Sequence, residues 1–149
     1  MMAGPSDKEY KLALERENFS FHSEMRVHWP GMLTGDAKWG ALAACEAFIL
    51  PSHQENFGVA VVEALASAKP VLISDQVNIA PEILADGAGF VAPDTLEGTL
   101  KLLEYNLKQH ENDRKIMSQR AQATFAARYD IRKNAATILR VFQQPPQAQ

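Results

Sequence analysis

The stretch Ala47–Asp75, AFILPSHQENFGVAVVEALASAKPVLISD, decides the fold. Four consecutive apolar residues, Ala47-Phe48-Ile49-Leu50, stop at Pro51, a run suited to a short strand covered on both faces of a sheet. A polar loop, Ser52 to Gly58, follows it. Val59 to Ala68 then sets Val62, Leu65 and Ala66 at helical spacing, and Pro70-Val71-Leu72-Ile73-Ser74-Asp75 reads as a second strand. Strand, loop, helix and strand in that order point to an α/β domain with a parallel sheet.

The flanking sequence extends the alternation. Upstream, Ser6-Asp7-Lys8-Glu9 has capping-box spacing and, with Tyr10, Ala13 and Leu14, predicts a helix from about Asp7 to Glu17. Arg26–Trp29 is a short strand candidate, and Gly35-Asp36 opens a helix with Trp39, Leu42, Ala43 and Glu46 on one face, expected to be core. Downstream, Pro81 suits the first turn of a short helix to Ala85, and Gly87-Ala88-Gly89 turns the chain into the strand Phe90-Val91-Ala92. Asp94 with Glu97 is expected to cap a helix through about Lys108. Met117, Ala121, Thr124, Phe125 and Arg128 mark another helix, and Asp130 begins a last one carrying Ile131, Ala135, Ile138, Leu139 and Phe142. The expected domain covers residues 1–142, with 143–149 a disordered tail.

Composition narrows the function classes. The 149 residues are 46% hydrophobic and 22% charged, a globular balance that fits one domain and excludes a disordered or fibrous chain. Cys45 is the single cysteine, so no internal disulfide forms; it is read as core packing. No apolar run approaches the roughly 18 residues of a membrane span, and the first residues lack the pattern of a secretion signal, which makes the expectation a cytoplasmic protein. A net charge of −3 gives no general electrostatic reason to bind nucleic acid. The charge is uneven: residues 1–94 hold 6 basic and 13 acidic side chains, residues 95–149 hold 9 and 5.

Ligands of open parallel sheets collect at the carboxyl ends of the strands, so Pro51–Gly58 and Asp75–Ala80 are where chemistry is expected. The first loop and its helix carry two carboxylates, Glu55 and Glu63. A carboxylate is an acceptor only and can grip two neighbouring hydroxyls. Gly58 at the helix entrance lets a ligand approach the backbone, and the free N–H groups of a first turn donate to hydroxyl or phosphate oxygens. A glycosidase pair is the rival use of two glutamates, but eight helical residues span roughly 12 Å, beyond the ~5–9.5 Å such pairs need. His53 and Glu55 offer only two metal ligands and Asp-x-Asp is absent, so no metal is expected. A receiver-type domain wants an acceptor Asp at a strand end, where this chain has Pro51-Ser52.

The phrase from Pro51 to Ala66, followed by Lys69-Pro70-Val71, resembles the Glu-x7-Glu region of family-4 retaining glycosyltransferases of the GT-B fold. The likeness extends through Asp86-Gly87-Ala88-Gly89-Phe90-Val91 and the terminal helices. It implies a C-terminal, nucleotide-sugar-binding half of a GT-B fold, Rossmann-like and three-layered. The implied reaction passes a hexosyl group from a nucleotide diphosphate sugar to a saccharide or lipid-linked acceptor, with no cofactor besides that donor. By the same resemblance Glu55 is the catalytic residue, orienting the donor sugar. Phe57 and Gly58 offer backbone N–H groups to sugar or phosphate, Glu63 takes the ribose hydroxyls, and Ser52, Asn56 and Val59 complete the donor site.

Two departures from the family pattern carry physical expectations. Ala66-Ser67-Ala68-Lys69 stands where a glycine is usual, so the helix end either avoids positive φ or accepts ~1 kcal/mol of strain. The family's first strand, with an Arg and a Lys that hold the diphosphate, has no counterpart before Met1–Gly4, nor has the acceptor domain. Weak donor affinity and no transfer by the chain alone are therefore expected. In the family's strand order 3-2-1-4-5-6, Met1–Gly4 would be strand 2 and Arg26–Trp29 strand 3. That would leave Ala47–Leu50 with an open edge, to be closed by a shifted strand or by homodimeric edge pairing. The competing expectation is a non-catalytic α/β interaction module that self-associates.

Overall fold

A computed structural model describes residues 1–20 and 27–143, which divide into two compact units, Met1–Ala41 and Leu42 onward. In the first unit α1 spans Lys8–Ser20. Its start is capped by Asp7, whose Oδ1 accepts from the N–H groups of Glu9 (2.8 Å) and Tyr10 (3.1 Å), so the cap lies one residue beyond Ser6. A charged acceptor at the positive end of a helix outcompetes the neighbouring hydroxyl. The two strand candidates run side by side and parallel, but their pairing is a single bridge, Ala3 to Gly31. The Met2 N–H donates to the His28 carbonyl at 2.8 Å and the Gly4 N–H to Gly31 at 2.9 Å; Arg26 lies outside the described residues.

Helix α2 spans Gly35–Ala44. Leu42 is buried as expected, but Trp39 is 44% exposed. The Trp39 ring instead lies under the ammonium of Lys38, 4.9 Å from its centroid, which corrects the reading of this face as core.

The second unit is built on three parallel strands, β1 (Phe48–Leu50), β2 (Val71–Ser74) and β3 (Gly89–Ala92), lying in chain order. Phe48 pairs with Val71 and Leu50 with Ile73; Val71 pairs in turn with Gly89. The helices are α3 (Val59–Ala66), α4 (Ala80–Asp86), α5 (Leu96–Lys108), α6 (Glu111–Thr124) and α7 (Ile131–Gln143). A wide π turn, Phe125–Tyr129, links the last two.

Strand alternation sorts two cores. Val71 and Ile73 join Val61, Leu65, Ile83 and Ala121 on the face covered by α3, α4 and α6. Leu72 and Ala92 meet Leu102 of α5 on the other face. Every residue of β2 is buried, but β1 is not, contrary to the reading of Ala47–Leu50 as covered on both sides. Phe48 and Leu50 pack against the first core, while Ile49 stays 36% exposed because α5, the helix on its face, packs on β2 and β3.

One helix start differs from expectation, and one helix end decides between two. Helix α5 is capped by Thr95, whose Oγ1 accepts from the Gly98 N–H at 3.0 Å, and not by Asp94, whose carboxylate is taken by His53. Helix α3 ends with Ala68 at φ 56°, so the chain accepts the strain. The Ala68 N–H donates to Leu65 and the Lys69 N–H to Ala64, both at 2.9 Å, a pair of bonds that requires this left-handed residue. Ala68→Gly is therefore expected to raise stability by about 1 kcal/mol, or about 2–4 °C in thermal midpoint, read by circular dichroism melting.

Arg128 in the π turn donates to both carboxylate oxygens of Asp86 at the end of α4, at 2.7 and 2.8 Å. That guanidinium holds the Asp86 carboxyl below its usual range. A carboxyl depressed in the folded state contributes stability above its unfolded pKa and loses it as pH falls through the folded value. Asp86→Asn should lower the melting midpoint at about pH 6, and the difference should shrink as pH falls below the usual carboxylate range towards the lowered folded value.

Candidate functional site

The carboxyl edge of the sheet brings together the segments after all three strands. The Ser74 hydroxyl donates to the Ser52 carbonyl, and the Ser52 hydroxyl to Gln54 at 3.0 Å. Glu55 continues the parallel pairing past the strands: its N–H donates to Gln76 (3.3 Å), and its carbonyl accepts from the Asn78 N–H (3.0 Å). The loop carrying Glu55 is thus held by backbone bonds to the segment after β2.

The Glu55 side chain turns back on the entrance of α3. Its Oε1 accepts from the Gly58 N–H at 3.1 Å and faces the Phe57 N–H at 3.5 Å. Gly58 makes this turn at φ 69°, ψ 56°, left-handed, and a Cβ there would stand 3.1 Å from Val61 Cγ2 and 3.3 Å from Val77 Cγ1. Asn56, Phe57 and Val59 are exposed around it, and Ser52 is half-buried at the end of β1. Glu63 is half-buried on α3, and its carbonyl accepts the Ser67 N–H and hydroxyl at 3.1 and 3.0 Å.

Three neighbours were not assigned from the sequence. His53 Nδ1 lies 2.7 and 2.8 Å from the carboxylate oxygens of Asp94, whose N–H donates to Asp75 Oδ1 at 3.2 Å. Tyr129 meets the Phe57 ring edge-on, centroids 5.9 Å apart, and its buried hydroxyl has no hydrogen-bond partner among the described residues. Burial, and then the charge of Glu82, push the Tyr129 phenol pKa up. The edge is acidic in outline, with Glu55, Asp75 and Asp94, and the segments 51–58, 75–79 and 93–95 contain no Lys or Arg. Among the described residues no cluster of three or more His, Cys, Asp or Glu could hold a metal ion.

Basic groups gather at the opposite end of the sheet. A cleft of about 340 Å³ there is lined by Cys45, Glu46, Lys69, Arg114, Lys115 and Ser118, among others. Arg114 Nη1 pairs with Glu46 at 2.9 Å and the Lys69 ammonium donates to Ala43 at 2.8 Å. The Cys45 thiol donates to the Leu42 carbonyl at 3.2 Å, and burial pushes its pKa up, the environment of a packing cysteine and not of a nucleophile.

Known proteins share this architecture. Sucrose-phosphate synthase from Thermosynechococcus elongatus superposes with a TM-score of 0.78 at 17% identity, over 95% of this chain and 37% of its own. WaaG, a glycosyltransferase involved in lipopolysaccharide biosynthesis, gives 0.69 at 24%, over 91% and 36%. Both likenesses are to the fold, Rossmann-like and of GT-B type. In sequence, the chain is 44% identical to the O-antigen chain mannosyltransferase RfbU of Salmonella typhimurium over 48 residues, 32% of this chain and 13% of that protein. It is 26% identical to an uncharacterized glycosyltransferase of Methanocaldococcus jannaschii over 136 residues, 90% of this chain and 38% of that one. The chain thus spans less than half the length of these relatives. No helix among the described residues is long and apolar enough to cross a membrane. Residues 1–124 match the family Glycosyl transferases group 1, and the chain belongs to it.

Proposed function

We propose that this chain is the donor-binding half of a retaining hexosyltransferase, holding a nucleotide diphosphate sugar at the carboxyl edge of β1, β2 and β3. The observation that carries the reading is the Glu55 carboxylate on the Gly58 and Phe57 N–H groups. Backbone donors at a helix entrance that hold one anionic oxygen are suited to hold another, such as a phosphate oxygen. On donor binding the diphosphate takes those N–H groups and Glu55 swings to the sugar hydroxyls. Glu63 takes the ribose hydroxyls, and Ser52, Asn56 and Val59 line the donor.

The acceptor, a saccharide or a lipid-linked sugar, is bound by a separate acceptor domain. Catalysis in the two-domain enzyme rests on positioning and on stabilising the departing diphosphate, without a metal. Such an enzyme serves cytoplasmic polysaccharide synthesis, and this chain alone transfers no sugar.

Calorimetric titration with uridine and guanosine diphosphates tests the reading. With no cation in the strand-end segments, a dissociation constant on the order of 1 mM is expected for one of them. Binding that survives Glu63→Ala at full strength would remove Glu63 from the ribose. Silence for both nucleotides up to about 10 mM would sink the donor site.

One observation favours the competing reading, a non-catalytic module that self-associates. Among the described residues β1 is hydrogen-bonded on one side only, to β2, and Ile49 is exposed, so a second copy could pair along this edge as a homodimer.

A further inference from the structure

We infer that the outer face of α5 is a self-association surface, which docks antiparallel on the same face of a second copy of this chain. Helix α5 is apolar on two opposite sides. At about 100° per residue, Gly98, Leu102 and Tyr105 fall together on the sheet side. There Gly98 and Leu102 are buried, and Tyr105 stacks on Phe90 with ring centroids 4.1 Å apart. Leu96, Leu100, Leu103 and Leu107 fall within about 60° of one another on the far side. They are exposed by 77%, 49%, 44% and 78%. Their 4-3-4 spacing is that of a helix-pairing seam, roughly 16 Å long, and such a contiguous stripe is rarely left to water in a monomer.

The charges beside the stripe name the occupant. One flank carries, in order, Glu97, Lys101, Glu104 and Lys108; the other carries the neutral Thr99 and Asn106. A two-fold axis across antiparallel helices brings each flank against its own copy, in reverse order. The sequence minus, plus, minus, plus then meets plus, minus, plus, minus. Glu97 faces the second copy's Lys108 and Lys101 faces its Glu104, with both pairs repeated by symmetry. A parallel pair would set the charged flank against Thr99 and Asn106 and gain nothing. Lys108 already lies 2.9 Å from Glu104 within the helix, with both side chains mostly exposed, so it can change partner at little cost. A single helix pair is small for an interface, so the dimer is expected in the micromolar range.

The surface is independent of the donor site and of the β1 edge. Sedimentation equilibrium of the full chain from about 1 to 500 μM should show a monomer–dimer equilibrium. Leu100→Glu with Leu103→Glu should weaken it by at least about 100-fold and, at concentrations where the parent is monomeric, leave the melting curve unchanged, because both side chains are outside the cores. Lys101→Glu and Glu104→Lys should each weaken it about tenfold, and the two together should restore it to within about threefold. A chain monomeric throughout the range overturns the inference. So does a dimer that ignores the leucine variants but is lost with Ile49→Lys. Charge reversals without effect overturn the antiparallel arrangement.

Discussion

Gly89→Ala is expected to abolish the cooperative folding of the larger unit. A Cβ on Gly89 would lie 1.9 Å from the Val71 carbonyl oxygen and 2.8 Å from its carbon. These are backbone atoms of the central strand, in register with Gly89 itself, so neither can rotate away. Relief requires β2 and β3 to part, which breaks the ladder and opens both cores at Val71 and Leu72. A loss above about 4–5 kcal/mol is the consequence, against a total stability of roughly 5–15 kcal/mol. Gly87→Ala is the control. There a Cβ would stand 2.7 Å from Arg120 Nη1, the end of a flexible side chain, and the cost is mainly that of φ +62°. Thermal melting should show a lowered but sharp transition for Gly87→Ala and none for Gly89→Ala. A sharp transition for the latter within a few degrees of the parent would refute the argument.

Glu55→Gln should lower turnover on the order of 100-fold in a two-domain enzyme containing this half, at unchanged thermal midpoint. Glutamine keeps the volume but replaces one acceptor oxygen by a donor group, which misfits sugar hydroxyls that donate to Glu55. The same change removes the negative charge resting on the Gly58 and Phe57 N–H groups. Affinity for a nucleoside diphosphate without sugar should therefore hold or rise, while affinity for the intact donor falls. Single-turnover kinetics with calorimetry separates the two effects. Parallel losses for both ligands would mean that Glu55 shapes the loop and does not touch the sugar.

The features legible in the sequence were those whose causes are local. β1, α3 and β2 follow from apolar runs and helical spacing within Ala47–Asp75, and Gly58 at the entrance of α3 from the loop between them. What escaped depends on distant partners. Asp94 resembles a helix cap until His53, 41 residues away, takes its carboxylate and leaves the task to Thr95. Tyr129 reaches Phe57 only because a π turn redirects the chain after α6. Ala68 shows a third case: the sequence allowed two backbone solutions, and the two carbonyls at the end of α3 selected the strained one. Likewise the burial of Ile49 depended on how far α5 extends across the sheet, which no window around β1 contains.

The strands of the larger unit lie in space in the order in which they occur along the chain. Each new strand therefore pairs with the one just made, across a single intervening helix, and no strand must wait for a later one to be inserted beside it. Each pairing needs only residues already made, a condition for stepwise accretion during synthesis from the N-terminal side. β1, α3 and β2 can associate before β3 has been translated. Closure comes from the helix that follows the sheet: Arg114 on α6 reaches back 68 residues to Glu46, just ahead of β1. That bond ties α6 to a residue ahead of the first strand, so this fastening of the sheet waits until α6 has been made.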